Sequence, residues 1–186
     1  MKKISTFIIV LVAAISLQSC DKIKDAIGAK YDMNGASADF VIPPYNDTSA
    51  QQTLATQSFS YNADSAIKSV SGGLLSMSIV SSIKIKSITL TLSDATTASN
   101  FANFSYAGVT FNTNASSSST LYTLADITNN PDVYSNSLTL NVPSSTQNLK
   151  SYFSNNVTIT YSAIAKLRRA TTDSLHCHAN ITYEVQ

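Results

Sequence analysis

The chain has 186 residues, and its 12 lysines and arginines nearly balance its 11 aspartates and glutamates. This balance excludes the strongly basic surface that nucleic-acid binding requires. Charged residues make up 12 % of the sequence, well below the usual ~25 %, and serine, threonine and asparagine take their place. We therefore expect a surface that is polar but weakly charged.

The N-terminal segment has the three parts of a secretory signal peptide. Lys2 and Lys3 form a basic start, and residues 7–14 form an apolar run that polar residues then interrupt. A membrane-spanning helix needs roughly 20 apolar residues, so this run is too short to be one. The alternatives are a retained membrane anchor and a plain secretory signal, which usually ends in Ala-x-Ala.

The end of this segment, Leu17-Gln18-Ser19-Cys20, resembles a bacterial lipobox. The resemblance implies that residues 1–19 are removed after Ser19 and that the thiol of Cys20 is acylated. The lipid bilayer would then be a partner of the chain, because two or more acyl chains give stable anchoring. Cys177 would remain as the single thiol, so we expect no intramolecular disulfide.

Residues 20–36 show no sustained hydrophobic period and are predicted to form a lipidated N-terminus and tether. A single domain is predicted to follow, over residues 37–186. Asp21, directly after the lipidated cysteine, resembles an inner-membrane retention signal of some Gram-negative bacteria. Asp21-Lys22 also resembles a surface-export signal of other Gram-negative bacteria. The sequence therefore does not decide which leaflet holds the anchor.

Beyond the tether, apolar and polar residues alternate with a period of two, which is typical of half-buried strands. Short strands are predicted at Ala38–Ile42, Thr56–Tyr61, Tyr106–Phe111, Thr120–Leu124 and Ser137–Val142. A helix is predicted at Ala63–Ser71, because it follows the cap-like Asn62 and ends before Gly72-Gly73. A second, shorter helix is predicted around Leu149–Phe153.

A longer strand is predicted over residues 83–93, and it contains a break in phase. Apolar side chains occupy odd positions up to Ile85 and even positions from Ile88 onward. One additional residue near Lys86-Ser87 would return these side chains to one face, which predicts a β-bulge. The alternative is a strand that passes from one sheet to another at this point.

Two long strands are predicted near the C-terminus, joined by an exposed connection at Lys166–Asp173. The apolar face of the first contains Val157, Ile159, Tyr161, Ala163 and Ala165. The apolar face of the second contains Leu175, Cys177, Ala179, Ile181, Tyr183 and Val185. Together they are predicted to form a long hairpin. Arg168-Arg169 in the connection is interpreted as an exposed polar turn, with a protease site as the alternative.

About eight short strands, with turn signals between them and few helices, predict an all-β fold. The favoured architecture is an antiparallel β-sandwich, Ig-like or related, with one or two short helices. A closed β-barrel is the alternative, because periodicity cannot count sheets. The phase break in residues 83–93 favours the sandwich.

His176-Cys177-His178 is the one cluster that looks like a chemical site. The two imidazoles share a face of the strand, as a pair of zinc or copper ligands would, and Cys177 points to the opposite, core-facing side. These are the two histidines of the chain, so a metal would need a third ligand of another type. We expect a solvent-facing pair and no metal or other cofactor, with His176 and His178 as the candidates if a metal binds.

The sequence offers little support for catalysis. It has no Gly-x-Ser-x-Gly motif, and any Ser–His pair would have to use the same exposed strand. The aspartates are predicted mostly at helix starts and in loops, where carboxylates cap backbone amides. We therefore expect that the protein is not an enzyme.

Binding suits this composition better, although tryptophan, the commonest sugar-stacking side chain, is absent. Four tyrosines near predicted loops are candidates for a binding rim: Tyr45, Tyr106, Tyr122 and Tyr134. Tyr61, Tyr161 and Tyr183 lie in apolar phase and are assigned to the core. The Asp-Ser-apolar tripeptides at Ser65 and Ser174 resemble O-glycosylation acceptors of some Gram-negative envelopes.

The lipobox at Leu17–Cys20, the short tether and the strand at Ile83–Leu92 give the chain a familiar organisation. It resembles small lipoproteins of Gram-negative envelopes that carry one Ig-like or related β-sandwich. The resemblance implies a location in the cell envelope, with the outer membrane favoured, and no specific activity. We predict a non-catalytic module that binds an envelope protein or glycan. The alternative is an envelope hydrolase or metal-handling protein that uses the face of His176 and His178.

Overall fold

The computed structural model describes residues 28–35, 37–115, 122–143, 147–153 and 156–186. The predicted signal peptide, its cleavage position Ser19 and the lipidation candidate Cys20 lie outside these residues. Within the described ranges, nine strands form two antiparallel sheets that pack against each other. The predicted β-sandwich is confirmed, and the closed barrel is wrong, because each sheet keeps its own edge strands. None of the helices in the described ranges is long and apolar enough to span a membrane.

The first sheet, sheet A, is built around the last strand, β9 (Leu175–Val185). Two short strands, β1 (Tyr31–Asn34) and β2 (Ala38–Ile42), follow one another along one edge of β9. The other edge pairs with β4 (Ile83–Leu92), which in turn pairs with β7 (Ser137–Leu140). The segment assigned to the tether therefore contains β1, whose pairing with β9 places it in the folded domain.

The second sheet, sheet B, has four strands. In spatial order they are β3 (Gln51–Tyr61), β8 (Val157–Leu167), β5 (Phe104–Thr113) and β6 (Tyr122–Ile127). An isolated bridge between Asp126 and Asn141 joins the β6 margin of sheet B to the chain just after β7. The β3 margin has no such bridge among the described residues.

The predicted C-terminal hairpin is wrong. β8 pairs with β3 and β5 in sheet B, and β9 belongs to sheet A, so the chain crosses the sandwich between them. The inner faces of β8 and β9 meet across the core instead of sharing a sheet. Alternation alone could not reveal this, because a strand with one buried face fits either sheet equally well.

The predicted bulge in β4 is confirmed. Ile85 lies opposite Tyr183 and Ser87 lies opposite Thr182, which makes Lys86 the additional residue. The apolar side chains on both sides of the bulge are buried. Passage to a second sheet is wrong, because β4 pairs with β9 along its full length.

The first predicted helix is also confirmed, as α1 (Ala63–Val70). The side-chain oxygen of Asn62 accepts a hydrogen bond of 2.8 Å from the backbone N–H of Ser65, which caps the helix as its sequence indicates. The second predicted helix is a single 3₁₀ turn at Lys150–Tyr152. A further 3₁₀ turn at Phe101–Asn103 was not predicted.

Candidate functional site

His176 and His178 project from the outer face of sheet A, and Cys177 between them is buried, as the alternation predicts. Nδ1 of His176 lies 2.6 Å from Oδ2 of Asp94, and Nδ1 of His178 lies 2.6 Å from Oδ1 of Asp39. The backbone N–H of His176 also donates to Asp94 Oδ1, at 2.9 Å. Each imidazole is thus oriented by a carboxylate through Nδ1, which turns Nε2 away from that carboxylate.

The two carboxylates come from segments on opposite sides of β9. Asp39 lies in β2, directly opposite His178 in the strand register. Asp94 follows the end of β4, where the backbone N–H of Ser93 donates to the His176 carbonyl at 3.1 Å. Sequence reasoning missed both partners, because their positions depend on the pairing of β9 with its neighbours.

These histidine–carboxylate contacts are open to water. The side chains of His176 and His178 are 62 % and 50 % exposed, and exposed pairs contribute little to stability. Partial desolvation raises the pKa of Asp94, but the hydrogen bonds from His176 outweigh it and hold that pKa below its usual value. The pairs therefore serve to orient the two rings more than to stabilise the fold.

One exposed apolar side chain lies beside the histidine pair, and an exposed tyrosine lies next to Asp94. Val41 lies opposite His176 in the register and is 57 % exposed. Tyr134 is 54 % exposed, and its hydroxyl donates to the carbonyl of Ala95 at 3.5 Å, next to Asp94. We call the group Val41, Asp94, Tyr134, His176 and His178 the His176 surface.

A shallow depression of about 290 Å³ adjoins the His176 surface. Its lining includes Asp39, Val41, Thr91, Ser93, His176 and His178. Among the described residues, no group of three or more histidine, cysteine, aspartate or glutamate side chains is arranged to hold a metal ion. The depression offers apolar, hydroxyl, carboxylate and imidazole groups for contact with a partner.

The structure does not bring the four candidate tyrosines together. Tyr134 is part of the His176 surface, whereas Tyr45 packs against the core. The backbone N–H of Tyr45 donates to the Thr171 hydroxyl, and the backbone N–H of Thr171 donates to the Tyr45 carbonyl. Tyr106 lies over Gly108 on the outer face of sheet B, and its hydroxyl is 3.3 Å from an oxygen of Asp126. Tyr122 begins β6, and its side chain lies outside the described residues. The expected common rim is therefore not formed by Tyr45, Tyr106 and Tyr134.

The connection that contains Arg168-Arg169 is more ordered than an exposed turn. Arg168 donates from its guanidinium to the carbonyls of Ala102 and Asn130, at 2.8 Å and 2.5 Å. Arg169 binds both carboxylate oxygens of Asp132, at 2.6 Å and 2.9 Å. The two arginines thus fix three loops at this end of the sandwich, which is a structural role.

The remaining candidate residues are one buried thiol and two exposed serines. Burial raises the pKa of Cys177 to about 12, so its thiol is neutral and unreactive in the folded protein. Ser65 on α1 and Ser174 before β9 are both exposed, so both are accessible to a modifying enzyme. Their modification stays a prediction from the tripeptide pattern.

The chain was compared with known protein-family models and with curated protein sequences, and nothing matches it.

Proposed function

We propose that this protein is a lipid-anchored, non-catalytic binding module of a bacterial envelope, attached through acylated Cys20. Its partner would be an envelope protein or a glycan, and the outer membrane is the favoured location. The lipobox pattern supports the anchor, and the His176 surface supports the binding role. The observation that carries the proposal is the exposed Val41 beside two carboxylate-oriented histidines, with the exposed Tyr134 bonded next to Asp94.

The composition of the His176 surface suits recognition. Binding sites on proteins commonly combine a small apolar or aromatic centre with polar groups that give orientation. Here Val41 and Tyr134 supply the apolar contacts, and the imidazoles supply hydrogen bonds through Nε2. The supporting strands β2, β4 and β9 are paired along this region, so the groups are held in place before a partner arrives.

The test is a crosslinked pull-down of the full chain from its own membranes, followed by identification of the captured protein or glycan. A double variant, Val41→Lys and Tyr134→Ala, should lose the captured partner. Ile79→Lys is the matched control, because Ile79 is 44 % exposed and precedes Ser81, which bonds to Gln186 at the opposite end of β9. Equal capture by the double variant and the wild type would refute this surface.

A second candidate is an envelope hydrolase or metal-handling protein, the alternative that the histidine pair suggests. It is favoured by one observation, the carboxylate at Nδ1 of both His176 and His178, because metal ligands and general bases are often oriented in this way. Calorimetric titration of the full chain with Zn²⁺ and with Cu²⁺ tests it, with the His176→Asn, His178→Asn variant as the control. Metal binding by the wild type that the variant loses would support metal handling. Absence of metal binding by the wild type would exclude it. Assay of both proteins on ester and glycoside substrates tests the hydrolase hypothesis. That hypothesis requires turnover by the wild type that the variant lacks.

A further inference from the structure

β3 is an edge strand, and its longer C-terminal part carries none of the usual protection. It pairs with β8 on one side, and the described residues provide no strand on its other side. A bulge between Thr53 and Ala55 interrupts its beginning, but the stretch Ala55–Tyr61 continues without a charged residue or a proline. At about 3.3 Å per residue this stretch is roughly 23 Å long. We call Ala55–Tyr61 the free edge.

The other margins of the sandwich are protected. Proteins block edge strands with charges, with interruptions, or by keeping the strands short. The margin of β1 and β2 carries Asp32 and Asp39 and is interrupted after Asn34, and β7 has 4 residues. The bridge between Asp126 and Asn141 pairs the outer edge of β6 with the chain that follows β7. The free edge thus differs from every other margin of the described sandwich.

Side-chain exposure shows that the free edge is open to water. The inward-facing side chains of β3 are only partly buried, and these are Ala55, Gln57, Phe59 and Tyr61. The matching side chains of the neighbouring strand β8 are buried, and these are Val157, Ile159, Tyr161 and Ala163. One more strand beside β3 would therefore cover two aromatic rings that the domain leaves partly exposed.

We propose that the free edge pairs antiparallel with the free edge of a second copy of this chain, across a two-fold axis near Ser58. Sheet B would then continue as eight strands, four from each copy. A two-fold contact sets each residue near the axis against its own copy, so any charge there would meet a like charge. The free edge has no charge, so no like-charge repulsion opposes its pairing with its own copy.

The side chains on its outer face also fit this pairing. Hydroxyl groups already join β3 to β8, with 2.9 Å between Thr56 and Ser162 and 2.7 Å between Ser58 and Thr160. In the two-fold arrangement, Ser58 meets Ser58 of the second copy, and Thr56 meets Ser60 of the second copy. The row of cross-strand hydroxyl contacts would thus extend through the contact between the copies.

The test uses the full chain in a large excess of detergent, labelled with donor or acceptor dyes at an exposed Ser174→Cys substitution. Energy transfer between copies should rise with protein concentration. Ser58→Lys alone and Ser58→Asp alone should each abolish the transfer, because each places like charges against one another. A mixture of the Lys and Asp variants should restore it, since the two charges then attract. Thr158→Lys is the matched control on the outer face of β8, and it should behave as the wild type does.

Far-UV circular dichroism of each variant separates loss of pairing from loss of folding. Absence of concentration-dependent transfer in the wild type would overturn the proposal. Unchanged transfer in Ser58→Lys, or no recovery in the mixture of two folded variants, would do the same. Crosslinking of position 58 to another protein in the native membrane, with no second copy of this chain, would show that a different strand occupies the edge and would also overturn it.

Discussion

The hydroxyls of Tyr161 and Tyr183 lie 2.6 Å apart in the core, and this hydrogen bond joins sheet B to sheet A. Both side chains are fully buried, and neither hydroxyl has another hydrogen-bond partner among the described residues. Around them, Phe153 packs edge-on against Tyr183, and Phe111 packs against Tyr161. The centre of the sandwich therefore contains one polar contact within an aromatic cluster.

This pair predicts a specific pattern of stability. Tyr183→Phe leaves the Tyr161 hydroxyl buried without a partner, and we expect it to lower the free energy of unfolding by about 1–3 kcal/mol. Tyr161→Phe should do the same for the Tyr183 hydroxyl. The double variant should cost less than the sum of the two, because it leaves no unpaired hydroxyl. Urea unfolding of the four proteins measures this coupling, and strictly additive losses would contradict it.

The buried phenols also predict how stability depends on pH. Partial burial raises the pKa of Tyr61 to about 12, and full burial raises the pKa values of Tyr161 and Tyr183 above the ordinary value of 10.0. The folded state therefore holds these protons more tightly than the unfolded chain does. Their contribution to stability is complete below pH ~10 and is lost as the pH rises above it.

Urea unfolding between pH ~8 and ~12 measures this loss. The midpoint should fall steeply above pH ~10, and the fall should be shallower in the variant with both Tyr161 and Tyr183 replaced by Phe. The same slope in both proteins would show that other groups cause the alkaline unfolding.

Gly35 predicts a steric effect at the junction of β1 and β2. An added Cβ would lie 2.7 Å from Cε2 of Tyr183 and 3.0 Å from the carbonyl oxygen of Ile181. Because Tyr183 is fully buried, its ring has little room to move, and Gly35→Ala should cost about 1–3 kcal/mol. Gly28→Ala is the matched control, since a Cβ at Gly28 meets nothing within 4 Å. Equal melting temperatures for the two variants would contradict the steric argument.

The proposed lipid anchor predicts a count of reactive thiols. The chain contains two cysteines, of which Cys177 is buried with a pKa of about 12. If Cys20 is acylated, the native protein should react with no thiol reagent, and the unfolded protein should react once. Protein made without its signal peptide should react once when native and twice when unfolded. Two reactive thiols in the unfolded membrane-derived protein would rule out acylation of Cys20.

The sequence predicted individual strands better than their arrangement. The alternation in β9 and the phase break in β4 depend on which face is buried, and that is encoded residue by residue. The assignment of β8 and β9 to different sheets depends on contacts across the core. The alternation within one strand contains no information about those contacts. β1 was missed because its four residues, Tyr31–Asn34, are too few to show a period.

The same limit applies to the candidate site. The shared face of His176 and His178 followed from their spacing on a strand. Their partners Asp39 and Asp94 lie 139 and 82 residues away along the chain, and only strand register brings them close. Tyr134 was expected near a loop, but its position beside Ala95 depends on how two loops meet.

The position of β9 has a consequence for the order of folding. β9 is the last described strand, and it is the common partner of β1, β2 and β4. Three of the other four strands of sheet A therefore cannot pair with β9 until that strand has been made. A chain that emerges from a translocation channel N-terminus first could not close this domain until Leu175–Val185 had also passed through.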